Sequence, residues 1–342
     1  MAVTIYDVAK RAGVGIGTVS RVINESPQIT AATKTKVLKA IKDLNYQPHA
    51  LAQGLARKKT QMIAIVVPFF TGYFFNELLR GIQQEIFKYQ YNLVLYNIDE
   101  GEQIDELLKK ALRERRVDGA LLISHQISDK IANKIKISSL PFVLVDSYHP
   151  SLDSIVVENK QGAFEATRHL IQLGHKKIGM IDGQLKSSPA KIRLEGFKQA
   201  LLEYNIPFKK EYLVISDYIT GQHGFNREAG YHAMKQLLKL APNHPTAVFV
   251  SSDIQAVGAI KAIDETGLKI PQDIAIVGFD DIEIAEFLGL TTMRQPMLEM
   301  GKLAVQRLIS KISNTASKDF KISFSTKLVI RNSCGALGHS RM

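Results

Sequence analysis

Residues 13–24, GVGIGTVSRVIN, bring an unusual set of side chains to helical spacing. At 3.6 residues per turn Gly17, Ser20, Arg21 and Asn24 share one face, Val19, Val22 and Ile23 share the other, and Ile16 lies on the border. A face so small, polar and basic can approach another surface closely, and nucleic acid is its first candidate partner. Catalysis finds little support elsewhere. The chain has no P-loop, no paired-histidine metal motif and no Gly-x-Ser-x-Gly elbow, and the histidines of SHQISD and GQHG stand alone. The sequence therefore points away from an enzyme and calls for no cofactor, metal or catalytic residue.

Charge placement agrees with that face. The 342 residues are 45% hydrophobic and 23% charged, which suits two or three packed domains, and the formal net charge is +11. Residues 1–60 hold seven lysines and three arginines against Asp7, Glu25 and Asp43, so +7 of the excess sits in a short N-terminal unit. Such concentration is expected of a module that meets phosphates. Cys334 is the single cysteine, which excludes an internal disulfide or a thiolate metal cluster. No apolar leader or run of ~18 apolar residues appears, so a cytoplasmic protein with no membrane partner is expected.

Three short helices must position the polar face. Thr4 and Asp7 open the first in a capping-box pattern, Val8 and Ala9 face inward, and Gly13 ends it. The tight turn 13–15 leads into the second. Thr30 caps the third, whose apolar stripe is expected to be Val37, Leu38, Ile41 and Leu44. This is a helix-turn-helix domain over 1–47, with its second helix suited to the major groove.

TIYDVAKRAGV followed by TVSRVIN, and then Y-x-P-x-A-L-A-x-x-L-A at 46–56, resembles the lactose/galactose repressor family of bacterial transcription regulators. The resemblance implies that Thr18 and Ser20 contact phosphates, that Arg21 reads a base edge, and that Thr4, Tyr6, Asn24 and Tyr46 belong to the same DNA-binding set. Ile16 and Gly17 fall where operators are distinguished within the family; Gly15 replaces the usual serine. In 49–56 the resemblance implies a hinge helix that folds on DNA, with His49 and Ala52 at the interface and Leu55 as the minor-groove wedge.

Beyond Gln61 apolar runs alternate with amphipathic stretches, and after Asn159 the alternation restarts. Two βαβ layouts of similar length describe a periplasmic-binding-protein-like α/β core of two doubly wound parallel-sheet subdomains, with a cleft at the strand ends. The expected division is 48–60 as hinge helix and linker, 61–158 with 291–320 as the first core subdomain, 159–290 with 321–332 as the second, and 333–342 as a tail. Within the cleft the resemblance implies that Asp146, Arg193 and Asp280 bind polar groups of an effector. Phe74 and Tyr218 would offer aromatic surface, and Ser252 stands where the family often has asparagine. TGYFF and Pro189 also depart from the commonest pattern and remove polar contacts.

The resulting expectation is a dimeric regulator, a repressor, that binds a palindromic double-stranded operator under control of a sugar-like small molecule. A close rival has a phosphocarrier protein as co-regulator. The absence of leucine heptads after Arg331 argues for a dimer over a tetramer.

Overall fold

The computed structural model describes residues 3–24, 26, 28–46, 60–68, 72–97, 117–185, 187–216, 222–316 and 321–336. His49, Ala52, Leu55 and Tyr218 lie outside them. The chain divides into two compact units, an N-terminal module and a large α/β core.

The module holds α1 (Ile5–Ala12), α2 (Ile16–Ile23) and α3 (Ala31–Asp43). Asp7 accepts hydrogen bonds from the Thr4 backbone N–H (2.9 Å) and hydroxyl (2.7 Å), closing the first turn of α1. Gly13 ends it at φ 66°, in the left-handed region where a glycine carries no Cβ penalty. Gly15 caps α2 without a side chain, and the Thr30 side chain accepts from Thr33 N–H to cap α3. Six small side chains form the module's core: Val8, Ala9, Val19, Val22, Val37 and Ala40. The expected stripe on α3 is corrected at one position. Leu38 is exposed and Ala40 is buried, because Val37, Ala40, Ile41 and Leu44 follow the i, i+3, i+4, i+7 spacing, whereas Leu38 is rotated about 100° from Val37.

The core begins with β1 (Met62–Val67), α4 (Tyr73–Ile86), β2 (Asn92–Asn97), β3 (Gly119–Ile123), α5 (Asp129–Ser138), β4 (Phe142–Val145) and β5 (Asp153–Val157). It continues with α6 (Asn159–Gln172), β6 (Ile178–Asp182), α7 (Ser188–Glu203), β7 (Leu213–Ile215), α8 (Arg227–Leu238) and β8 (Ala247–Val250). The last part holds α9 (Asp253–Asp264), β9 (Ala275–Asp280), α10 (Glu283–Phe287), β10 (Thr291–Arg294), α11 (Met297–Ile312), β11 (Lys321–Phe324) and β12 (Lys327–Val329). Two six-stranded sheets result, in the orders β11-β5-β4-β3-β1-β2 and β12-β10-β9-β8-β6-β7. Pairing is parallel from β1 through β3, β4 and β5 to β11, and from β7 through β6, β8 and β9 to β10. β12 runs antiparallel to β10. Nearly continuous apolar strands such as IGMID and AIVGFD are what parallel sheets covered on both faces require.

The two lobes are not simple halves of the chain. β10 belongs to the second sheet, α11 packs in the first lobe's core through Met300, Ala304, Val305 and Leu308, and β11 joins the first sheet. The chain thus crosses between lobes near Glu158, at 295–296 and at 325–326. The crossovers expected at 291 and 321 are displaced by about four residues each, because β10 pairs with β9 and β11 with β5 before the chain passes over. Two crossing segments are tied together where Glu158 N–H donates to Phe324 O at 2.9 Å.

Candidate nucleic-acid interface and effector cleft

On α2 the fold separates the two faces foreseen from the spacing. Val19 and Val22 are buried, while Ile16, Gly17 and Arg21 are exposed and Thr18, Ser20 and Asn24 are half-buried at the edge. Asn24 Nδ2 lies 3.4 Å from Ser20 Oγ, which holds the end of the face together. A Cβ added at Gly17 would meet nothing within 4 Å, so the smallness of this face is not imposed by packing inside the module. Tyr6 is exposed, Tyr46 is half-buried against the module core, and the Thr4 hydroxyl is engaged by Asp7. Those bonds hold the Asp7 carboxyl below its ordinary value.

The cleft is built at the C-terminal ends of the core strands, where open α/β sheets place their ligands. Asp280 ends β9 and Asp146 follows β4, and Arg193 projects from α7. Arg193 is 4% exposed, and its guanidinium lies 3.8 Å from the centre of the Phe279 ring. Its Nε donates to Asn159 Oδ1 (2.8 Å), its Nη1 donates to Ser251 O (2.5 Å), and the same Nη1 stands 3.9 Å from Asp280 Oδ1. Asp280 Oδ1 accepts from Gln295 Nε2 at 2.6 Å, and Asp146 Oδ2 accepts from the Ser124 hydroxyl at 2.6 Å. Second-lobe groups and Asn159, next to the first crossing, thus bond one guanidinium, Gln295 of the second crossing stands behind Asp280, and the first lobe's Asp146 acts on it through its charge.

Burial dominates the electrostatics here. It raises Asp280 to about 6 and raises Asp146 as well, while the nearby Arg193 charge pulls both back down. The backbone is strained at the same points: Ser124, Asp146 and Asp280 take φ values of 51°, 53° and 124°, in a region that non-glycine residues rarely adopt. Sheet-end residues held this way aim their side chains out of the strand direction and into the cleft.

Other expected residues stand differently. The Ser252 hydroxyl is engaged within its own element, donating to Gln255 Oε1 (2.9 Å) and capping Gln255 N–H at the start of α9. Phe74 packs on the first lobe's core, edge-on to Phe75. Asn159, Ser124, Gln295 and Asp182 join the cluster although the sequence reading did not single them out. A cavity of about 560 Å³ lies elsewhere on the second lobe, lined by Val257, Ile260, Lys261, Leu268, Ile270 and Leu288 among others.

Residues 4–49 match the model of bacterial regulatory proteins of the lacI family, and residues 167–334 match a periplasmic binding protein-like domain. The chain is 38% identical to the ribose operon repressor of Escherichia coli K12, over 96% of this chain and 99% of that one. It is 35% identical to catabolite control protein A of Priestia megaterium, over 94% and 96%. The chain belongs to the lacI family of bacterial regulatory proteins. A solved lac repressor dimer, bound to operator and an anti-inducer, matches with a TM-score of 0.80 at 28% identity, over 98% of this chain and 99% of that one. As a lacI-family member the chain is a DNA-binding transcriptional regulator and not an enzyme. Among the described residues no helix is long and apolar enough to cross a membrane.

Proposed function

We propose that this chain acts in the cytoplasm as a homodimeric repressor whose affinity for a palindromic operator is set by a sugar-like effector. Thr18 and Ser20 contact phosphates, Arg21 reads a base edge, Ile16 and Gly17 shape specificity, and Leu55 wedges the minor groove with His49 and Ala52 beside it. Thr4, Tyr6, Asn24 and Tyr46 complete the DNA contact. Short hydroxyls suit phosphate oxygens, and an exposed guanidinium suits guanine O6 and N7. Arg193, Asp146 and Asp280 hold hydroxyls of the effector, with Phe74, Tyr218 and Ser252 at the margins of the site.

One observation carries this reading: a guanidinium buried between carboxylates of two lobes, in a chain that also carries the family's helix-turn-helix. Charged groups so placed make strong, directional bonds to a polyol. Support for the dimer comes from the second lobe, where Phe287 is 82% exposed beside Leu288 and the apolar residues Val257 and Ile260 of the cavity.

The test is fluorescence anisotropy on a palindrome taken from the DNA beside the protein's own gene, with and without added monosaccharides. A sugar should change operator affinity in the wild type and leave Arg193→Ala unaffected. Operator affinity indifferent to every sugar sinks the effector reading. The likeness to a catabolite control protein favours a second reading, with a phosphocarrier protein as co-regulator. In that case the carrier, added in place of sugar, changes the anisotropy.

A further inference from the structure

Asp182 ends β6 and is completely buried at the same sheet end as Asp280. Its Oδ1 accepts the Ser251 hydroxyl (2.6 Å) and the Gly183 N–H (2.8 Å). Ser251 also offers its carbonyl to Arg193, so Asp182 stands one residue away from the guanidinium. Its second oxygen, Oδ2, has no hydrogen-bond partner among the described residues. Two further orphans lie near it in the chain or the cleft, Gln184 Oε1 and Gln295 Oε1. The orientation of Gln295 is fixed, since its Nε2 must donate to the Asp280 carboxylate, leaving the amide oxygen as the unfilled end.

All three orphans are acceptors. A buried acceptor without a donor is costly, and three of them at or just after the ends of β6 and β10, in one sheet, describe the ligand that completes them. The charges agree. Asp146, Asp182 and Asp280 all act on the Arg193 guanidinium, so a further negative group beside it would meet an excess of carboxylate.

We propose that Asp182, assisted by the amide oxygens of Gln184 and Gln295, reads hydrogen-bond donors of the effector, which is therefore a neutral or amine-bearing polyol and not a phosphorylated or carboxylated sugar. The inference rests on the effector reading of the cleft and narrows it. Burial raises Asp182 to about 7, against the opposing pull of Ser251, Gly183 N–H and Arg193. A donor on Oδ2 favours the ionised form, so binding at pH 7 releases up to about half a proton per site.

The experiment uses the full chain and four probes: D-ribose, D-glucosamine, D-ribose 5-phosphate and D-gluconate. Thermal shift comes first, then calorimetry in two buffers of different ionisation enthalpy. The neutral or the amino sugar should bind, the two anionic ones should not, and the comparison of ribose with glucosamine tells hydroxyl from amine. Asp182→Asn keeps the Oδ1 bonds and the shape, so it should melt as a folded protein and bind operator normally. It should bind the probe at least about tenfold more weakly, without the proton release. Gln184→Leu, at a half-buried loop position, should weaken binding less and keep the proton release. Binding of only the phosphorylated or carboxylated probe overturns the inference and leaves the effector reading standing. Wild-type affinity with unchanged proton release in Asp182→Asn also overturns it, and means that a structural water completes Oδ2. A lack of binding by all four overturns this inference together with a monosaccharide effector.

Discussion

Arg21 and Arg193 are the same side chain in two settings. Arg21 stands exposed on α2, on a face whose neighbours are a glycine and small polar groups. Arg193 is buried over Phe279, bonded to Asn159 and Ser251 and facing carboxylates. The first is kept ready by the absence of bulk around it, so its partner must be supplied from outside. The second is held by the fold itself, and the ligand has to fit into bonds that already exist. Surface readers depend on what stands beside them on one helix; cleft readers depend on how distant segments converge.

That contrast breaks first at Arg193. Arg193→Ala leaves buried carboxylates without their cation, which typically costs about 3–5 kcal/mol, so the variant should melt well below the wild type as well as lose its effector response. A wild-type melting curve by circular dichroism would show that the carboxylates do not depend on the guanidinium. Arg21→Ala should leave the melting curve unchanged and reduce discrimination of the cognate operator by roughly 1–3 kcal/mol. Equal weakening on cognate and scrambled DNA would reassign Arg21 to a phosphate.

A smaller effect separates the sites by pH. Asp182 and Asp280 hold protons more tightly in the fold than in the unfolded chain, so their contribution is complete below about 3.8 and is lost as pH rises through about 6 and about 7. Half-buried His125, His169 and His175 are shifted down by desolvation and act in the opposite direction around their ordinary value of 6.5. Between pH 6.5 and 8 the wild type without effector should therefore lose about 1 kcal/mol relative to Asp182→Asn, in which the histidine contribution is the same. Denaturant titrations at both pH values decide it; an equal change in the variant assigns the effect to another group. The smallest change is Gly17→Ala. Open space and an ordinary helical backbone mean a gain of about 0.5 kcal/mol in module stability, with operator preference altered far more than stability. Binding selection on randomised operators would read that preference.

Legibility followed the same division. The module could be read from local signals: Thr4 and Asp7, Gly13 and Thr30 mark the helix ends, and only Leu38 was placed on the wrong side. In the core the alternation of apolar runs and helices announced two parallel sheets, and the family resemblance pointed to Asp146 and Asp280. Asn159 and Gln295 were not visible, since a polar residue at a helix start or between elements looks like a cap or a turn. Ser252 carries a second local signal. Serine before Asp-x-Gln is a capping signal, and capping is how its hydroxyl is engaged. Asp182 was not visible either, because nothing local distinguishes an acid with one satisfied oxygen from one with two.

The three passages between lobes also govern the order in which the protein can be made. The first lobe's sheet has four of its strands by residue 145 and a fifth by residue 157, but its core still lacks Met300, Ala304, Val305 and Leu308, and its edge lacks β11. At ordinary synthesis rates the ribosome needs roughly ten to thirty seconds to deliver those pieces, and the second lobe emerges almost whole in the interval. A newborn chain therefore presents a finished N-terminal module well before it has a finished first lobe, and that lobe's apolar strands are the stretch on which a chaperone would be needed.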